Sequence, residues 1–75
     1  MLQSGNDEDK FNALEFFILN VENYPKSSNS YDSLGEAYET LGNTQKAIEN
    51  YKKSLELNPS NKHARMKIKK LSQSD

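Results

Sequence analysis

Tyr31-Asp32-Ser33-Leu34-Gly35-Glu36-Ala37-Tyr38, followed by Ala47-Ile48-Glu49-Asn50-Tyr51 and then by Pro59, carries more structural information than any other part of this 75-residue chain. Tyr31, Leu34, Ala37, Tyr38 and Leu41 recur at helical spacing, which places them on one face of an amphipathic helix. Gly35 interrupts that run, and a glycine inside a helix costs about 1 kcal/mol relative to alanine. Its presence therefore calls for a packing reason. Small side chains such as those of Gly35 and Ala47 let two helix axes approach to roughly 8–10 Å. Tyr31, Leu34, Tyr38 and Tyr51 then fill the space around the close contact, and Pro59 ends the second helix of the pair.

Outward from this stretch the punctuation is regular. Pro25 and Pro59 lie 34 residues apart, and proline both stops a helix and pushes the residue before it out of the α region. Tyr24-Pro25 and Asn58-Pro59 thus mark helix ends. A first helix is expected from about Asp7 to Asn23, with Asn6 as N-cap, residues 1–6 as a flexible lead, and Asp7, Glu8 and Asp9 at the positive end of the dipole. At about 100° per residue, Phe11, Leu14, Phe17, Ile18 and Val21 form a broad stripe with Ala13 and Tyr24 at its edge. Phe16 and Leu19 lie off that stripe.

The polar run Lys26-Ser27-Ser28-Asn29-Ser30 supplies caps for a second helix, about Ser30 to Leu41. Gly42 suits the left-handed position that ends a helix, and Asn43 or Thr44 can cap the next. That third helix, about Thr44 to Leu57, has Ala47, Ile48, Tyr51 and Leu55 as its apolar row. A fourth, about Asn61 to Ser72 and capped by Ser60 or Asn61, carries Ala64, Ile68 and Leu71 on one face and Lys62, Lys67, Lys69 and Lys70 elsewhere. The fold class is all-α, built of antiparallel helical hairpins.

Composition narrows the function. With 33% hydrophobic and 28% charged residues and a mean hydropathy of -0.99, the chain suits helices that each bury one stripe. The longest apolar run, Phe16-Phe17-Ile18-Leu19, is far short of the roughly 20 residues of a membrane span, so no membrane partner is expected. Cysteine is missing, which removes disulfides, thiolate metal sites and thiol chemistry from consideration. The acidic N-terminus lacks the basic and apolar regions of a signal peptide. Charge runs from acidic to basic: five acids against two bases in residues 1–28, but one acid against five bases in residues 58–75. Because no aromatic or glycine interleaving accompanies Lys62, Arg65, Lys67, Lys69 and Lys70, nucleic acid is not the expected partner.

The order and spacing of Tyr31, Leu34, Gly35, Tyr38, Ala47, Tyr51 and Pro59 resemble the tetratricopeptide repeat, a 34-residue helical hairpin. Residues 28–61 would form one complete unit. Ala13, Phe17 and Pro25 stand 34 residues before Ala47, Tyr51 and Pro59, so residues 7–24 resemble the second helix of a preceding repeat. Residues 61–73 resemble the capping helix of such arrays, with Lys69 where Gly35 stands one repeat earlier. The resemblance implies a right-handed superhelix of about one and a half repeats plus a cap, in a single domain that is a segment of a larger protein. It also implies a protein or peptide partner and a role in interaction or scaffolding. The stretch from Asn20 to Pro25 and on through Tyr31 to Tyr38 is similar to the C-terminal repeat tail of some bacterial serine hydrolases of the esterase and β-lactamase-like type. An accessory domain of such an enzyme is thus an alternative.

In this family the first helix of each pair lines a peptide-binding groove, which on this chain implies Asn29, Asp32, Ser33, Glu36, Glu39 and Thr40. Members that clamp a C-terminal carboxylate use lysine, arginine and asparagine there. Asp32 and Glu36 would repel such a ligand, so a basic or polar segment fits better. A helix apolar on two sides has neighbours on two sides, which makes Phe16 and Leu19 the expected contact with an upstream helix or domain of the same chain, or with a second copy in a self-associating module. No catalytic residue, cofactor or metal ligand is expected. His63 has no carboxylate three or four residues away, the serines form neither a Gly-x-Ser-x-Gly elbow nor a Ser-x-x-Lys pair, and Asp7-x-Asp9 lacks the glycine a calcium loop needs.

Overall fold

A computed structural model describes the backbone of residues 2–73 and the side chains of residues 13–73. It contains four helices: α1 (Leu2–Asn23), α2 (Ser28–Thr40), α3 (Thr44–Leu57) and α4 (Lys62–Ser72). The all-α class and the hairpin arrangement expected from the pattern are present. α2 and α3 make the most extensive contact, while α1 packs on α2 and α4 packs on α3.

Two helix starts differ from expectation: α2 begins at Ser28, two residues before Ser30, and the larger difference is at α1. α1 begins at Leu2, so residues 2–6 are helical rather than a flexible lead, and Asn6 lies within the helix instead of capping it. Once a helix is nucleated each added residue forms a bond at no further nucleation cost, and the first proline that could stop it is Pro25. Met1 and the side chain of Phe11, with those of Asp7, Glu8 and Asp9, lie outside the described residues.

Three helices start with the same device. The Ser27 hydroxyl accepts the Ser30 N–H at 3.3 Å, the Asn43 amide oxygen accepts the Lys46 N–H at 3.2 Å, and the Asn61 amide oxygen accepts the Ala64 N–H at 3.2 Å. Each satisfies a donor that the first helical turn leaves open. α2 ends on Gly42 with φ of 83°, a left-handed conformation glycine adopts freely. The Gly42 N–H reaches the Glu39 carbonyl at 3.0 Å and the Asn43 N–H reaches the Tyr38 carbonyl at 2.9 Å, the paired closure of a Schellman turn.

The repeat is visible in the backbone itself. The bonds Tyr24 N–H to Asn20, Ser27 N–H to Tyr24 and Tyr31 N–H to Ser27 recur 34 residues later as Asn58 to Ser54, Asn61 to Asn58 and Arg65 to Asn61. Both proline turns therefore aim the following helix in the same way.

The core is small and sits where α2, α3 and α4 meet. Ala47, Tyr51 and Ala64 are fully buried, with Tyr38, Leu55, Ile68 and Leu71 packed against them; Leu34 is also buried. A Cβ placed on Gly35 would lie 3.0 Å from the Tyr51 ring. Gly35 thus accommodates that ring, while the Ala47 methyl belongs to the cluster with Tyr51 and Ala64. The Ser28 and Ser54 hydroxyls cross-link the same helices: Ser28 donates to the Ser54 carbonyl at 3.0 Å and Ser54 donates to the Ser28 carbonyl at 2.9 Å.

Candidate functional site

The N-cap of α4 begins a polar contact that runs along α2. Besides capping α4, the Asn61 amide group donates to an Asp32 carboxylate oxygen and to the Ser54 hydroxyl, both at 2.8 Å. This fixes the start of α4 above the first turns of α2. Two residues on, His63 Nδ1 lies 2.9 Å from Asp32 Oδ1, and its Nε2 lies 3.3 Å from Glu36 Oε2. Asp32 and Glu36 stand four residues apart on one helix face, so a single imidazole spans both. A further turn along, Lys67 Nζ lies 3.2 Å from Glu39 Oε1.

Glu39 closes the other end of this row, its side chain 23% exposed. The Tyr51 hydroxyl, at the edge of the core, donates to Glu39 Oε1 at 2.9 Å. Burial alone would raise the Glu39 pKa, but the hydrogen bonds from Tyr51 and Lys67 and the charges of Lys67 and Lys70 outweigh it, and the pKa lies below its ordinary value of 4.5. Tyr51 responds in the opposite direction. Burial first, then its bond to Glu39 and the negative charges of Glu39, Glu36 and Asp32, push its pKa far up. The phenol therefore stays a donor and Glu39 stays a carboxylate across the ordinary pH range.

The side chains expected to line a groove divide into two sets. Asp32, Glu36 and Glu39 face α4 as described. Ser33, Glu36 and Thr40 line a cleft toward α1, together with Ala13, Phe17, Ala37 and Leu41. Glu36 belongs to both and is 54% exposed. The Thr40 hydroxyl is turned back onto the Glu36 carbonyl at 3.0 Å, and Asn29 is exposed. Phe16 and Leu19 are 61% and 55% exposed; Phe16 meets Phe17 edge-on with centroids 5.5 Å apart. Of the residues read as structural, Tyr31 carries Lys53 Nζ at 5.9 Å from its ring centroid, and the Pro59 carbonyl accepts from Arg65 at 2.7 Å.

His63, Asn61 and Lys67 are the members of this face that sequence reasoning missed. A search along α4 finds no carboxylate near His63, because its partners are supplied by α2, 31 and 27 positions earlier in the chain. The 34-residue period holds the missing signal: it puts α4 beside α2 in the register that brings these groups together. One donor atom from each of Asp32, Glu36 and His63 lies within 4.8 Å of the others, so among the described residues these three come close enough to share a cation. In the geometry observed, the imidazole itself occupies the place between the carboxylates.

No helix among the described residues is long and apolar enough to cross a membrane. Residues 33–61 match the family model of the tetratricopeptide repeat. Comparison of the whole sequence with curated proteins gives no match.

Proposed function

We propose that this chain, which carries a tetratricopeptide repeat, is a non-catalytic protein-interaction module that holds a basic or polar segment of another protein against the acidic face of α2. The family supports protein or peptide binding as the type of function. The observation that carries the finer reading is Glu36: its carboxylate is more than half exposed and contacts His63 at 3.3 Å, at the rim of a cleft floored by Ala13, Phe17, Ala37 and Leu41. An incoming ammonium or guanidinium can pair with Glu36 while an adjacent apolar side chain enters the cleft. Charge of this kind contributes mainly orientation and association rate, and apolar contact contributes affinity.

The polar groups argue against chemistry at this face. The Ser28 and Ser54 hydroxyls are committed to carbonyls of the opposing helix, a cross-link rather than an activated nucleophile, and the Tyr51 phenol is held protonated by its surroundings. We read residues 28–61 as the complete repeat unit, with α1 as part of a preceding repeat and α4 as a cap.

The test is capture on an array of immobilised peptides that differ in charge. Peptides with lysine or arginine next to an apolar residue should bind best, and binding should weaken as salt rises. The double variant Asp32→Lys plus Glu36→Lys should lose them. Unchanged capture by that variant would remove this face from the reading.

A further inference from the structure

The two ends of the chain carry opposite charge, five acids against two bases in residues 1–28 and one acid against five bases in residues 58–75, which the acidic face of α2 does not account for. Each end also shows apolar side chains to water: Phe16 and Leu19 on α1 are 61% and 55% exposed, and Met66 on α4 is 69% exposed. Glu15 and Glu22 are exposed along one edge of the Phe16–Leu19 face, as Lys62 and Lys69 are along one edge of Met66. Among the described residues no ion pair engages any of these four charges.

A further repeat helix in front of α1 does not close the Phe16 face. The 34-residue period puts Phe16 and Leu19 where α3 has Asn50 and Lys53. With α2 in place against α3, Asn50 still turns its amide onto its own helix at the Lys46 carbonyl, 2.8 Å away, and Lys53 pairs with Glu56 of its own helix while 46% exposed. These are outward positions of the repeat, polar in α3 and apolar in α1. A second α1 suits them no better. Two copies laid antiparallel with Phe16 on Leu19 bring Glu15 of one beside Glu22 of the other, and laid parallel they bring the run Asp7-Glu8-Asp9 against itself, both like-charge contacts.

From this we infer that the outward face of α1 docks on the outward face of α4 of a second copy of this chain, the two helices antiparallel, with Glu15 on Lys69 and Glu22 on Lys62 of that copy. The members of each charged pair are seven residues apart, about 10 Å along a helix, so both ion pairs form in one register. In that register Met66 stands level with position 18, between Phe16 and Leu19. Helix handedness sets the orientation. At about 100° per residue, Glu15 and Glu22 lie on the same rotational side of Phe16 and Leu19 as Lys62 and Lys69 lie of Met66, and antiparallel helices then meet acid to base along one flank. The apolar side chains supply the attraction and the charges fix the register. Each copy presents both faces, so the contact is heterologous and repeats from copy to copy until the ends meet. One helix against another is smaller than the roughly 1,200 Å² of a standard interface. The contact is therefore weak, and in dilute solution the chain is a single molecule with α1 open. Asp32 and Glu36 take no part in it, so it stands apart from the peptide-binding reading.

The experiment is sedimentation equilibrium of the full chain from about 10 µM to about 1 mM. The weight-average mass should rise with concentration, and the rise should shrink as salt screens the ion pairs. Glu15→Lys plus Glu22→Lys, and separately Lys62→Glu plus Lys69→Glu, should each weaken association by about tenfold or more. Mixing the two variants in equal amounts should restore it, because each then offers the charge the other lacks. Met66→Ser should weaken association without changing its salt dependence. All of these positions are exposed, so helical circular dichroism should stay that of the parent, and recovery in the mixture shows that both variants are folded. The inference is overturned if the unaltered chain keeps the mass of one molecule up to about 1 mM, if either double variant associates like the parent, if the mixture stays monomeric, or if Met66→Ser has no effect. It is equally overturned if Glu22→Lys alone tightens association, which would assign the contact to α1 against α1.

Discussion

Gly35 has no side chain because the Tyr51 ring occupies the place where one would begin. The added Cβ alone would stand 3.0 Å from that ring, and Tyr51 is fully enclosed, so it cannot swing aside. Gly35→Leu is therefore expected to cost a few kcal/mol, which exceeds the roughly 1 kcal/mol that replacing a helical glycine returns. In a chain of this size each kcal/mol moves the melting temperature by roughly 4–8 °C, so thermal melts should show a drop of at least about 10 °C. A melt unchanged within a few degrees would mean that α2 and α3 do not depend on this contact. The need for a small residue at position 35 is legible in the sequence, since nothing else explains a glycine amid an apolar helical row. Its partner is not legible, because spacing identifies which faces meet and not which side chain projects furthest between them.

At the scale of the element, α4 is fastened to α2 by side chains as much as by its apolar stripe. Asn61 caps α4 and reaches both α2 and α3, and Lys67 reaches Glu39. Exposed pairs of this kind contribute little, but Glu39 is three-quarters covered and also receives the Tyr51 hydroxyl. Because its pKa in the folded chain is below the ordinary 4.5, folding favours the carboxylate. The resulting stability is complete above about pH 4.5 and drains away as pH falls through the lowered value. Glu39→Gln should thus be less stable than the parent by about 1 kcal/mol at neutral pH. That difference should shrink as pH falls below about 4.5 and through the lowered value, as read from urea melts at each pH. A difference independent of pH would assign the effect to shape and not to charge. Helix starts belong to the legible part, since Asn43 and Asn61 cap where their side-chain chemistry places them. The start of α1 was hidden because the preference for a cap at Asn6 is weaker than continuation of a helix already formed.

Over the whole molecule, coverage is uneven. α3 has α2 on one side and α4 on the other, while α1 packs on α2 and keeps Phe16 and Leu19 exposed. Backbone amides of α1 should exchange with solvent at least about tenfold faster than those of α3 in native-state hydrogen exchange. Equal protection would show that another helix or another copy covers α1 in solution. What the sequence by itself determined is the periodic part: four helices, their turns and the 34-residue repeat follow from proline, glycine and cap spacing, which act on neighbours along the chain. What only the tertiary structure decided is the set of contacts between repeats: the Tyr51 ring beneath Gly35, His63 between Asp32 and Glu36, and the open cleft beside Phe17. Those depend on how far one helix stands from another and how its side chains extend across the gap, and no local spacing rule encodes either.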